Sequence, residues 1–200
     1  MNIRWAMSGA LKIAIVDENP IRAAILEAGL REAGHDNVQH IAEHTNLLVR
    51  LNALDPDVIL IDLENPSRDV LEQMFQVSRV VKRPIAMFVE QSDSESTQAA
   101  IEAGVSAYIV EGLRKERVKH VLDISIMRFK AFSRLKDELD EAKNALEERK
   151  LIDRAKGLLM RAKNLSEEEA YALLRKTAMN EKRRIAETAQ SIITAAEIFK

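Results

Sequence analysis

Residues 58–66 read VILIDLENP. Four apolar residues, Val58–Ile61, run without interruption into an acid, Asp62, and then into a turn closed by Pro66. A short unbroken apolar run suits a strand covered on both faces, as in a parallel sheet flanked by helices. The same signature recurs outward from this point, in LKIAIV at Leu11–Val16, in Ile85–Val89, in Ala107–Val110 and more weakly in Val38–Ile41. Helical patterns separate these runs. Pro20 opens one whose apolar face is Ile21, Ala24, Ile25, Ala28 and Leu30 and which ends near Gly34. Leu47, Leu48, Leu51 and Leu54 mark a second, stopped by Asp55-Pro56. Val70, Leu71, Met74 and Val77 mark a third, and Thr97–Ala103 a fourth, shorter one. Five strand–helix repeats in the first 112 residues predict an α/β fold, a doubly wound five-stranded parallel sheet of the flavodoxin-like kind.

The 200 residues are 46% hydrophobic and 31% charged, enough apolar material for a packed core. Thirty basic against 32 acidic side chains exclude a uniformly basic nucleic-acid binder. The lack of cysteine excludes disulfides and thiol chemistry. No apolar run approaches membrane-spanning length, and Met1–Gly9 has no signal-peptide core, so a cytoplasmic protein without a membrane role is expected. The charge is unevenly placed. Residues 1–123 carry 13 basic and 19 acidic side chains, whereas residues 149–184 carry 11 basic and 5 acidic. An acidic half joined to a locally basic half implies two tasks.

From Arg114 to Lys163 there is no proline, and Gly157 is the one glycine. Val118, Leu122, Ser125, Phe129 and Phe132 step by 4-3-4-3; after a three-residue stammer, Leu135, Leu139, Ala142 and Leu146 step by 4-3-4. This is a long helix with a heptad seam, and a homodimeric coiled coil through Leu122, Phe129, Phe132, Leu135, Leu139 and Leu146 is its simplest partner. The alternative is that the stripe folds back on the same chain. Three helical segments complete the sequence. The first continues the long helix through Leu151, Ile152, Ala155, Leu158, Leu159 and Ala162 to Asn164. Ser166 and Glu169 form a capping box for the second, with Ala170, Tyr171, Leu174, Thr177 and Ala178 as its apolar face. Asn180 is read as the cap of the third, which would place Lys182–Arg184 in its first turn. The expected organisation is a tail at 1–10, an α/β domain at 11–123, a linker helix at 114–150 and an all-α three-helix unit at 149–200.

Ligands of open parallel sheets bind beyond the carboxyl ends of the strands. Asp17 and Glu18 follow the first strand and Asp62 ends the third, so three carboxylates converge and need a cation or a proton between them. Oxygen donors of this kind suit Mg²⁺. IVDENP at 15–20 with ILIDLENP at 59–66 resembles the receiver domain of two-component response regulators over residues 11–123. By that resemblance Asp62 is the phosphoacceptor, Asp17, Glu18 and Asp62 hold the metal with a carbonyl from Glu64, and Tyr108 is the aromatic switch. Two positions depart from the pattern. Receivers carry Ser or Thr where this chain has Val89, and Lys where it has Glu111. Valine cannot hydrogen-bond a phosphoryl group, and glutamate repels one. Control by docking of a protein, with phosphorylation weak or dispensable, is the expectation.

Residues 148–193 resemble the ANTAR domain, an RNA-binding antitermination module, through Ile152, Ala155-Lys156-Gly157, Leu159-Met160, Glu169-Ala170-Tyr171, Leu174-Arg175, Ala178-Met179, Arg184, Ala189 and Ile192. Its cations Lys150, Arg154, Lys156, Arg161, Arg175, Lys176, Lys182, Arg183 and Arg184 create a field that favours a phosphate backbone. Receiver, coiled coil and ANTAR module in this order resemble antiterminators of the AmiR and NasT type, with FVEQSD at 88–93 and GVSAYIVEGLRKERV at 104–118 closest to the NasT branch. That resemblance implies binding to paired leader-RNA hairpins, read-through into nitrate or nitrite assimilation operons, and a NasS-like nitrate- or nitrite-binding sensor as partner. A phosphorylation-dependent DNA-binding regulator and a pure protein adaptor are the alternatives. No nucleophile–base pair or phosphate loop points to an enzyme.

Overall fold

The strands β1 (Ile13–Val16), β3 (Val58–Leu63) and β4 (Ile85–Val89) are buried at every position, as unbroken apolar runs require when helices cover both faces of a sheet. β2 (Val38–Ile41) is exposed at Gln39 and His40, and β5 (Ala107–Ile109) has three residues; these two form the edges. A computed structural model describes residues 11–64, 66–110 and 114–198. The sheet order is β2-β1-β3-β4-β5, with every pairing parallel. β3 runs two residues past the expected apolar stretch, pairing Asp62 with Phe88 and Leu63 with Val89. The chain adds strands first to one side of β1 and then to the other, so the switch point lies between β1 and β3, where the acids stand.

Helices α1 (Pro20–Glu32), α2 (Leu47–Leu54), α3 (Arg68–Val80) and α4 (Ser94–Glu102) join the strands. A three-residue 3₁₀ turn, Lys115–Arg117, precedes α5 (Val118–Lys163). One sheet face packs Ile13, Ile15, Val58, Leu60 and Phe88 against α1 and the start of α5. The other packs Ile59, Ile61, Met87 and Val89 against α2, α3 and α4. In α1, a Cβ on Gly29 would stand 3.0 Å from Val118 Cγ2 and 3.1 Å from the Lys115 carbonyl, so glycine lets α1 and the root of α5 approach.

The chain divides into two compact units, Met1–Ser133 and Arg134–Lys200. The 46 residues of α5 contribute to both. Its first seam positions do not face a second chain. Val118, Leu122 and Ser125 are fully buried, Val118 and Leu122 in the core under α1. Leu122 therefore leaves the dimer seam, because the same heptad face that serves the free helix further on is used here to close the sheet. Phe129 is half-buried. Phe132, Leu135, Leu139 and Leu146 are exposed by 67, 64, 53 and 53%, apolar surface too large to ignore on a charged helix.

In the second unit, Ala155, Leu174, Ala189 and Ile193 form a small core from α5, α6 (Glu167–Glu181) and α7 (Ile185–Ile198). The capping box forms as expected: Glu169 N–H donates to Ser166 Oγ at 3.2 Å and Ser166 N–H to Glu169 Oε2 at 2.8 Å. The helix boundary at Asn180 is corrected. α6 continues to Glu181 and closes at Lys182, whose φ is 54°. There the Lys182 N–H donates to the Met179 carbonyl and the Arg183 N–H to the Ala178 carbonyl, at 3.2 and 2.9 Å. Lys182–Arg184 thus sit in the turn after α6 and ahead of α7, not inside its first turn; Lys182 stands where the carbonyl end of α6 welcomes positive charge, and Arg184 directly precedes α7. Tyr171, read from periodicity as part of the buried face, is 42% exposed. Beyond the helix's own neighbouring backbone, no described atom comes within 4 Å of where a Cβ on Gly157 would stand, so the described residues give no packing reason for glycine there.

Candidate functional site

Asp17 leaves β1 into a tight turn. Its Oδ1 accepts from Asn19 N–H at 2.8 Å, and Asn19 in turn caps α1, accepting from the N–H groups of Ile21 and Arg22 at 3.0 and 3.4 Å. Pro20 at the first helical position fixes the entry angle. This turn places Arg22 in the first turn of α1, aimed across β1 at Asp62 on β3. Arg22 Nε donates to Asp62 Oδ2 at 2.9 Å and Nη2 to Asp62 Oδ1 at 2.5 Å, while Nη1 reaches Glu90 Oε1 at 3.1 Å. The Asp62 side chain is fully buried and that of Arg22 is 14% exposed. The bidentate contact holds the guanidinium's pKa above its usual range, against the cost of burial.

Arg22 was not among the residues singled out by sequence. It lies 40 positions from Asp62, and nothing local distinguishes it from the other arginines. Other groups of the cluster also have partners. Glu18 Oε1 lies 3.1 Å from His44 Nδ1, the Glu64 carbonyl accepts from Glu90 N–H at 3.2 Å, and the Asp17 carbonyl lies 2.7 Å from His40 Nε2. Asp17 Oδ2 alone is buried without a hydrogen-bond partner in the acidic cluster. A Mg²⁺ ion held by Asp17, Glu18, Asp62 and the Glu64 carbonyl would have to displace this guanidinium from Asp62. Both Asp62 oxygens face a guanidinium, whereas the Glu64 carbonyl, with one N–H bond, keeps a second lone pair. Among the described residues no group of three acids, histidines or cysteines is disposed to hold a metal.

Val89 ends β4, fully buried, with no hydroxyl to offer the pocket. Tyr108 on β5 is half-buried, and its hydroxyl lies 3.0 Å from Ser92 Oγ in the β4–α4 loop. Glu111, the second departed position, lies outside the described residues, as does the tail 1–10.

Burial pushes the Asp17 carboxyl above its ordinary range; the Asn19 N–H opposes this and the neighbouring Asp62 charge adds to it. The folded state then retains a proton that the unfolded chain releases. Stability falls as pH rises through the interval between the ordinary and the raised value, and the penalty is complete above it. Asp17→Asn keeps the acceptor for Asn19 and removes the penalty. Its melting temperature relative to the parent chain is expected to rise with pH from about pH 4 upward. A difference that is flat with pH counts against this assignment.

In the second unit, most of the expected nucleic-acid contacts are held by neighbouring acids. Lys150 pairs with Glu147, Arg154 with Glu197, and Lys156 with Asp153 and Glu167. Arg183 pairs with Glu181 and Glu187, and Arg184 with Glu148. Arg161, Arg175, Lys176 and Lys182 are exposed and, among the described residues, have no ion pair. Two of these share one outer face of α6 with Tyr171 and Met179, and the four side chains line a shallow groove. Tyr171, Arg175 and Met179 recur at four-residue steps, a pattern present in the sequence but masked there by the family of apolar positions beside it. An exposed aromatic ring amid unpaired cations suits stacking on unpaired bases beside a phosphate backbone.

Residues 13–123 match the response regulator receiver domain family and residues 140–193 the ANTAR domain family. The transcriptional regulatory protein PdtaR of Mycobacterium tuberculosis is 25% identical over 177 residues, 88% of this chain and 86% of its own. The nitrate regulatory protein of Klebsiella oxytoca is 35% identical over 82 residues, 41% of this chain and 21% of its own. The signal receiver domain of a modulated diguanylate cyclase from Desulfovibrio desulfuricans superposes with a TM-score of 0.52 at 19% identity, covering 62% of this chain and 98% of that one, and shares the fold.

Proposed function

The chain belongs to the response regulator receiver family, with an ANTAR domain behind its receiver, and from that premise we propose that it is an RNA-binding transcription antiterminator. The observation that carries the reading is the outer face of α6, where Tyr171, Arg175, Lys176 and Met179 stand exposed inside the ANTAR-matching segment. Residues 11–123 act as the regulatory lobe, 114–150 as the linker helix and 149–200 as the RNA-binding unit. The ligands are paired hairpins of a leader transcript, whose capture prevents a terminator from forming. The resemblance to NasT-type regulators and the nitrate regulatory relative support an operon of nitrate or nitrite assimilation. They also support a nitrate- or nitrite-binding sensor as the protein partner that withholds the regulator in the cytoplasm. The departed receiver positions favour this control over a kinase, and nothing in the two regulatory domains calls for catalysis.

The exposed stripe Phe132, Leu135, Leu139 and Leu146 supports a second copy of the chain as its cover. A dimer tethers two RNA-binding units, so the second hairpin binds at raised effective concentration.

Competition between a hairpin RNA and a DNA duplex of equal length, read with the full chain, tests the reading. The RNA is expected to win, and a two-hairpin RNA is expected to bind at least about tenfold tighter than one hairpin. Leu139→Asp should abolish that advantage while leaving single-hairpin affinity unchanged. Preference for the duplex overturns the proposal; equal losses on both RNAs overturn the dimer.

A further inference from the structure

The receiver resemblance implies a divalent cation among these acids, yet here a guanidinium stands among them. Arg22 engages both carboxylate oxygens of Asp62 and one of Glu90. Its position is costly on local grounds. The first turn of α1 carries no acidic residue, and a cation there opposes the helix dipole. Asp62 and Glu90 offset that cost, so the placement is set by the pocket and not by the helix. The fork takes both Asp62 oxygens, while Asp17 Oδ2 beside it stays buried without a hydrogen-bond partner. Asp62 has no exposed side-chain surface, Glu18 is turned to His44, and the Glu64 carbonyl accepts from the Glu90 N–H. The neighbouring Val89 adds no polar group.

We propose that Arg22 is a resident organic cation that takes the place of the divalent ion in this receiver, shielding Asp62 and excluding Mg²⁺. The guanidinium delivers one positive charge through a planar fork matched to a single carboxylate, where a hydrated metal ion would need several oxygen donors in an octahedron. The Asp62 charge is then met without metal. Asp62 is withheld from reaction with a phosphodonor as long as the fork stays in place. The receiver is thereby left to protein contacts for its input. This inference deepens the regulatory half of the function proposed above, but it reads the receiver pocket alone and does not depend on RNA binding.

The test is Mn²⁺ binding to the full chain, followed by loss of the free-ion electron paramagnetic resonance signal, with Mg²⁺ as competitor. The parent chain is expected to show no saturable site at or below about 1 mM Mn²⁺. Arg22→Gln, which removes the charge and opens both Asp62 oxygens, is expected to gain one site per chain, at least about tenfold tighter and displaced by Mg²⁺. Arg22→Lys, which keeps the charge but frees one Asp62 oxygen, should fall between the two. It serves in place of the glutamine variant if that chain does not fold, as judged by circular dichroism. A parent chain that binds one Mn²⁺ as tightly as either variant overturns the proposal, as does a folded Arg22→Gln chain that gains no site. Hairpin affinity measured on the same samples reports separately on the RNA reading.

Discussion

Arg22→Ala is expected to lower the folding stability of the receiver by about 3 kcal/mol, because it strands the Asp62 carboxylate in the sheet without a counter-ion. The size follows from the asymmetry of buried pairs. Both partners have already lost most of their water, so removing one leaves the full desolvation cost of the other. The 14% exposure of Arg22 and its solvent-facing partner Glu90, 42% exposed, hold the figure to the lower end of the range for buried pairs. Asp62→Ala is expected to cost less, since the freed guanidinium still reaches Glu90 and solvent. The double variant Arg22→Leu/Asp62→Leu should recover most of the loss, because an apolar pair of similar volume carries no desolvation penalty. Hydrogen exchange of the β3 amides reads the receiver by itself, which matters in a chain of two units that need not unfold together. Equal losses in the Arg22→Ala and double variants would show that packing, and not charge, dominates the site.

Removing Arg175, Lys176 and Lys182 together is expected to weaken hairpin RNA binding by about 100-fold near 0.1 M salt and to reduce the slope of log K against log salt by about 2. These three cations have no internal partner among the described residues, so their charge is free to meet phosphate. Lys182→Gly is the replacement of choice at that position. Lys182 has a φ of 54°, which glycine adopts without steric cost, so this substitution removes charge while favouring the fold by up to about 1 kcal/mol. A binding defect in a chain that melts higher cannot be blamed on unfolding. The contrasting set is Arg154, Lys156 and Arg184, whose charges already meet Glu197, Glu167 and Glu148. Removing them should change affinity and salt slope far less. The reverse ranking would move the interface off α6.

The sheet was legible because an apolar run of four or five residues buried on both faces has few other outcomes, and the acids were legible because they follow such runs. Their charge balance was not. The Arg22–Asp62 pair is made by bringing α1 over β3, and a contact spanning 40 residues leaves no local periodicity. Leu122 was misassigned for the opposite reason. Its periodicity is real, but one helical face serves two purposes in succession, sealing the sheet up to Ser125 and standing open from Phe132. At the α6–α7 turn, Asn180 has the chemistry of a helix cap. A backbone closure at Lys182 overrides it, and lysine is a residue that sequence rules do not expect at positive φ. Tyr171 illustrates the limit of apolar patterning, since an amphipathic ring next to Ala170 and Leu174 fits either side of the helix.

The all-parallel pairing of the sheet bears on how the chain acquires its structure during synthesis. Joining Ile13 to Val58 closes a long loop before any reward, and each further strand repeats the delay. α6 and α7, by contrast, meet across a short turn and form from contacts near in sequence. The slow part is made before the fast part at the ribosome. The sheet thus has the time taken to translate α5, α6 and α7 in which to close, whereas the helical unit needs only contacts near in sequence.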